Sequence, residues 1–150
     1  MFIRLLWIML FMLSPLFALP QERKIPILAY HRFGAEVSDS MTIKTSVFAQ
    51  QMEWLKTNGY TVIPLDTAVR YLQGIVKSIP AKSVVITVDD GHKSVYSDMA
   101  PIVKKYNIPV TLFIYPSAIS NAKYAMTWDQ LRELEATKLF HVESHTYWHP

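Results

Sequence analysis

Apolar runs and helix-spaced stripes alternate along this chain, and the alternation predicts its elements. Residues 25–30 (IPILAY) form a short apolar run that reads as a first strand ending at His31. Residues 32–45, with Gly34, Ser38, Asp39 and Ser40, read as a loop. Ser46 can cap a helix to about Asn58, with Phe48, Met52 and Leu55 on one stripe. Gly59 stands where a left-handed C-terminal cap is wanted. Residues 60–63 (YTVI) predict a second strand closed by Pro64, and Asp66 can cap a short helix through Leu72.

Residues 84–88 (VVITV) are β-branched without a break, the mark of a strand buried on both faces in a parallel sheet. Pro101 suits the first turn of a helix, which places the next helix at 99–106 with Asp98 near its cap. Asn107-Ile108-Pro109 breaks it, and residues 110–114 (VTLFI) read as another buried strand. Thr127 and Gln130 have the spacing of a capping box, for a helix carrying Trp128, Leu131 and Leu134 inward. Residues 139–144 form a last strand.

Strands alternating with helices call for parallel pairing through right-handed crossovers. An open doubly wound sheet and an α/β barrel both satisfy the pattern. No Gly-x-Gly-x-x-Gly follows a strand, which argues against dinucleotide binding. In either fold, chemistry gathers at the carboxyl ends of the strands. Those ends are His31, Asp89-Asp90, Tyr115 and Ser144-His145.

Composition narrows the classes. The chain has 150 residues, 51% of them hydrophobic, and a formal net charge of +3. That suits one globular domain, and the charge forms no basic block, so nucleic acid is not an expected partner. There is no cysteine, which excludes disulfides and thiolate metal ligands. Residues 1–18 have one early cation, Arg4, then an apolar run ending in Ala18, the layout of a secretory signal peptide. A retained membrane anchor is the alternative. The expected location is therefore outside the cytoplasm: periplasm, cell envelope or secreted.

The carboxylates of Asp89 and Asp90 terminate the most apolar strand. Asp-Asp-Gly is also an ordinary turn sequence, so this stretch alone does not separate site from turn. Neighbouring strand residues point to opposite faces, so the strand must end there, with Gly91 permitting the turn. The acids can then divide the work, one holding a metal and the other staying free as a base. His145 and His149, four apart, share a face if the backbone turns helically, and with one aspartate they make a set for a divalent cation. Two histidines at this spacing are weak evidence taken alone. Their place at a strand end in the same alternating fold makes the combination specific.

Residues 87–91 (TVDDG) with 145–149 (HTYWH) resemble the first two motifs of the polysaccharide deacetylases, the NodB-homology domain of carbohydrate esterase family four. Residues 27–31 (ILAYH) and 107–114 (NIPVTLFI) are similar to the family as well. The resemblance implies an α/β fold, a distorted (β/α) barrel of the NodB-homology type, of which residues 25–150 would be the N-terminal part. It implies a metal-dependent hydrolase that removes acetyl groups from N-acetylglucosamine units of a polysaccharide. Asp89 matches the general base, and Asp90, His145 and His149 match the metal ligands. Zinc is the favoured ion, with cobalt, nickel and manganese as alternatives. Thr146 matches a position where its hydroxyl could support the ligands.

Val88 stands where the family has phenylalanine, a change of packing. His92 reads as a solvated loop residue, His141 as structural, and His31 as a candidate for a role near substrate. Tyr115, Tyr147 and Trp148 are aromatics that could stack on sugar rings. The resemblance also implies three later motifs, among them a Leu-x-x-His supplying the general acid, and none is expected within these 150 residues. The chain therefore reads as a truncated form. The alternative function is an inactive fragment with weak metal or carbohydrate binding. A glycosidase built on Asp89 and Asp90 is a poor third reading, because such carboxyl pairs need about 5 Å or more between them across a bond.

Overall fold

The computed structural model describes residues 24–149. The expected signal segment at 1–18 lies outside the described residues. Among the described residues no helix is long and apolar enough to cross a membrane.

The elements run β1 (Ile27–Tyr30), β2 (Arg32–Gly34), β3 (Thr42–Lys44), α1 (Thr45–Thr57), β4 (Thr61–Val62), α2 (Leu65–Leu72), β5 (Ser83–Asp89), α3 (Ala100–Tyr106), β6 (Val110–Ile114), α4 (Trp128–Ala136) and β7 (Phe140–Ser144). Every strand pairing is parallel. The main sheet has the order β1-β5-β6-β7, with β4 added against the first residues of β5. This is the α/β architecture expected of a partial barrel.

Sheet register explains how the layers form. Val84, Ile86 and Val88 of β5, Val110, Leu112 and Ile114 of β6, and Phe140 of β7 are buried in one cluster with Phe48, Met52 and Leu55 of α1, Val103 of α3, and Leu131 and Leu134 of α4. The alternate residues, among them Thr87, Asp89, Thr111, Phe113, His141 and Glu143, line cavities on the opposite, concave face. Val85 takes its own small core with Ile63, Ala68 and Ile79 at the amino ends of the strands. Burial of this helix-facing layer, roughly 1.5–3 kcal/mol for each large apolar side chain, is the main force holding the sheet.

Several local expectations change. The loop after His31 contains two short strands, β2 and β3, that pair with each other. Ser46 is not a cap: α1 begins one residue earlier, and Lys44 at its N-cap makes no side-chain capping bond. Asp66 lies inside the first turn of α2, behind Pro64. The helix before Pro101 does not start at a cap near Asp98. It continues from a π-helical turn, Val95–Met99, in which Asp98 accepts from Ser97 Oγ at 2.6 Å. Trp128 faces outward, 40% exposed, because a residue just after the cap sits off the buried stripe of Leu131 and Leu134. The Thr127–Gln130 capping box forms in both directions, with bonds of 3.2 and 2.9 Å.

Candidate metal centre and catalytic rim

Strand β5 ends at Asp89, and the next two residues are both left-handed: Asp90 has φ 71° and Gly91 φ 68°. Aspartate is among the few residues other than glycine that tolerate this region. The turn lifts Asp90 out of the strand alternation, so the two carboxylates part company. Asp89 stays on the concave face, lining a cavity of about 410 Å³ with Thr87, Phe113 and His145. Gly91 has no room for a side chain: a Cβ would stand 2.9 Å from Ile119 Cδ1 and 3.2 Å from Ile114 Cγ2.

Asp90 meets both histidines. Its Oδ1 lies 3.8 Å from His145 Nε2 and 3.4 Å from His149 Nε2. One ligand atom from each of the three residues falls within 4.8 Å of the others. The spacing arises differently from the expected helical turn. His145 N–H still donates to Ile114 O at 2.8 Å, continuing the sheet, and Thr146 then turns left-handed with φ 65°. Thr146 Oγ1 donates to Trp148 O at 2.6 Å and ties the loop between the two histidines.

The chemistry of this set fits a divalent cation. Asp90 Oδ1 is buried and has no hydrogen-bond partner, an expensive condition for a carboxylate oxygen. Donors around a tetrahedral zinc at 2.0–2.1 Å stand about 3.3 Å apart, close to the observed separations. Two imidazoles and a carboxylate leave coordination positions for other ligands.

His31 is the residue for which the sequence alone left the role open. Tyr30 pairs with Val88 in the β1–β5 register, which carries His31 alongside Asp89. His31 Nε2 lies 3.7 Å from Asp89 Oδ2. Leu28-Ala29-Tyr30-His31 also has the Leu-x-x-His spacing, placed ahead of the acid pair and not after the second histidine.

The rim carries further groups. His92 is not a solvated loop residue. Its Nδ1 shares a 2.8 Å hydrogen bond with the buried Ser94 hydroxyl, and its ring stacks on Tyr124 at 6.2 Å and 9°. Desolvation, with the charges of Arg32 and Lys93, lowers its pKa. Tyr115, the residue after β6, packs against His149 at 5.3 Å and hydrogen-bonds Tyr124 through the two hydroxyls. Burial and that hydrogen bond raise the Tyr115 pKa, and the charge of Asp90 adds to the shift. Arg32 Nη1 pairs with Asp39 at 2.8 Å, while its Nε is buried with no hydrogen-bond partner.

Arg32 and Tyr124 were not visible as site residues in the sequence, because both lie in segments without a periodic pattern. His141 is exposed on the concave face and lines a larger cavity of about 550 Å³ with Leu65, Thr111, Phe113 and Glu143. That cavity includes neither acid of the pair, so size alone is a poor guide to the chemistry here. Tyr147 and Trp148 are exposed, and they contact each other edge to face at 5.1 Å.

Comparison with known proteins gives a consistent result. The family model described as polysaccharide deacetylase matches residues 77–150. YxkH of Bacillus subtilis, grouped by name with the polysaccharide deacetylases, is 35% identical over 127 residues, covering 84% of this chain and 43% of YxkH. The poly-beta-1,6-N-acetyl-D-glucosamine N-deacetylase of Escherichia coli K12 is 29% identical over 136 residues, 80% of this chain and 20% of that protein. The structure of IcaB from Ammonifex degensii superposes with a TM-score of 0.74 at 33% identity, covering 82% of this chain and 53% of that one. The chain thus spans about half or less of the relatives it matches. With the fold, the acid pair and the two histidines in place, this chain belongs to the polysaccharide deacetylase family.

Proposed function

We propose that this protein removes acetyl groups from N-acetylglucosamine units of a polysaccharide, with Asp90, His145 and His149 holding a divalent cation. The observation that carries the reading is Asp90 Oδ1, buried without a hydrogen-bond partner and facing two histidine nitrogens. Names of relatives from Escherichia and Staphylococcus epidermidis point to poly-β-1,6-N-acetylglucosamine as the substrate class. Zinc is the favoured ion. Residues 1–18 would serve as an export leader or retained anchor, placing the activity at the cell envelope or beyond.

A bound cation supplies Lewis acidity toward the acetyl carbonyl and makes a nearby water more acidic. The remaining work falls to the chain. Asp89 faces the concave cavity and accepts the proton of the attacking water. The water oxygen bonds to the acyl carbon, and the carbon–nitrogen bond then breaks. The leaving nitrogen needs a proton, and His31 stands beside Asp89 to give it. The products are acetate and a free amine. Adjacent carboxylates divided in this way avoid mutual repulsion, since one is matched to the cation and the other stands beside an imidazole.

The test is metal titration coupled to hydrolysis. Zinc should bind one site with stoichiometry near one, and acetate release from a β-1,6-linked N-acetylglucosamine oligomer should vanish in Asp89→Asn without loss of metal binding. Acetate release that persists in Asp89→Asn, or zinc binding that persists in Asp90→Ala, sinks the assignment.

A further inference from the structure

Beside the metal ligands the rim carries an aromatic wall. It begins at Tyr115, whose ring lies 5.3 Å from that of His149. Tyr115 joins Tyr124 hydroxyl to hydroxyl, and Tyr124 stacks on His92 in nearly parallel planes, 9° apart. Three independent contacts hold this wall to the metal-site turn. Lys93 N–H donates to Tyr124 O at 2.8 Å, Lys93 Nζ donates to Lys123 O at 3.1 Å, and Met126 N–H donates to Gly91 O at 2.9 Å. The backbone carrying Tyr124 is therefore tied to the turn at Asp90, although it lies in a turn itself.

Tyr124 is 41% exposed even with His92 stacked against it, which leaves ring surface open to a ligand. The hydroxyl pair adds a second feature. Two hydroxyls that share one hydrogen bond keep one O–H to donate and several lone pairs to accept. A flat apolar surface beside one spare donor and several acceptors matches a sugar ring, which has an apolar C–H face and an edge of hydroxyls and amide.

We propose that Tyr124, braced by Tyr115 and His92, forms a saccharide subsite next to the metal centre, binding the sugar neighbouring the one whose acetyl group is removed. The ligand class rests on the deacetylase reading above. Tyr115 links the two sites: its ring touches a metal ligand and its hydroxyl fixes the wall. The subsite contributes affinity for oligomers and not chemistry, so it governs KM and leaves kcat alone.

The experiment measures binding of a β-1,6-linked N-acetylglucosamine pentamer by calorimetry, first on protein stripped of metal by chelation and then with zinc. Tyr124→Ala should weaken binding at least tenfold in both states, and Tyr124→Phe, which keeps the ring and the fold, about two- to fivefold. Trp54→Ala, an exposed aromatic on α1 packed against Tyr60, should bind as the parent does. Zinc affinity of both Tyr124 variants should stay within twofold of the parent. Parent protein that does not bind the pentamer overturns the subsite, as do Tyr124 variants that bind it unchanged. Tyr124-dependent binding with no acetate release from the parent overturns the deacetylase reading and leaves the subsite standing.

Discussion

His31 Nε2 lies 3.7 Å from Asp89 Oδ2, across the parallel pairing of β1 and β5. Nearly sixty positions apart in sequence, the two meet because Tyr30 is in register with Val88, so the next residue of each strand reaches the same rim. At that distance the pair is an electrostatic contact that sets the imidazole and the carboxylate side by side on the rim.

His31→Gln keeps the size and a hydrogen-bonding group but cannot carry the proton. It should lower kcat by roughly 10²–10⁴, the usual range for a lost general acid or base. Zinc affinity should change less than threefold. Steady-state acetate release together with zinc calorimetry checks both halves, and an unchanged kcat would remove His31 from the chemistry.

Removing a ligand is a different experiment. His145→Ala, His149→Ala and Asp90→Ala should each weaken zinc binding at least 100-fold, while His141→Ala, at the far end of the concave face, should change it less than threefold. Zinc at 100 times its dissociation constant should stabilise the parent against urea by about 2.7 kcal/mol and leave the Asp90→Ala midpoint unmoved. Equal effects from His141 and His145 would end the ligand assignment.

Gly91→Ala tests the turn that separates the two acids. The positive φ alone costs about 1–2 kcal/mol for an alanine, and the methyl group would press on Ile119 and Ile114. A combined loss of roughly 2–4 kcal/mol in urea unfolding is expected. Gly59→Ala has the same backbone cost but meets no atom within 4 Å, so it should lose less.

Tyr30 supplies a pH dependence away from the metal site. Burial raises its pKa from 10.0 to about 12, and its hydroxyl donates to Gln51 Oε1 at 2.8 Å. The folded value exceeds the unfolded one, so this contribution to stability is complete below pH 10 and is lost as pH rises from 10 through 12. Urea midpoints measured between pH 9 and 12 should fall more steeply in the parent than in Tyr30→Phe.

Much of this molecule was legible as sequence. The β-branched run at 84–88, the strand at 110–114, the Thr127 capping box and the glycine after α1 all behave as their local chemistry dictates. Each of these signals acts within a few residues, through propensity, capping or backbone freedom, and so survives without tertiary context. Asp89, Asp90, His145 and His149 stood out in the sequence as two short motifs, and the fold brings Asp90, His145 and His149 within 4.8 Å of one another. Less local features were misjudged. Trp128 falls outside the buried stripe, α1 starts without the cap that Ser46 offered, and His92 is half-buried on Ser94 and Tyr124. For His92 the stacking on Tyr124, more than thirty residues away, outweighed the local preference.

Which residues carry charge and donor atoms, and that the two acids cannot share one face of a strand, follow from the order of residues alone. Which acid meets which histidine depends on the folded arrangement. Asp90 reaches His145 and His149 because two successive left-handed residues turn it away from β5 and because β6–β7 pairing brings the second motif to the same rim. Asp89 meets His31, and Tyr124 meets Tyr115, through strand register and loop packing. Register and packing are set by burial of the whole helix-facing layer, a sum over many side chains that no short motif contains.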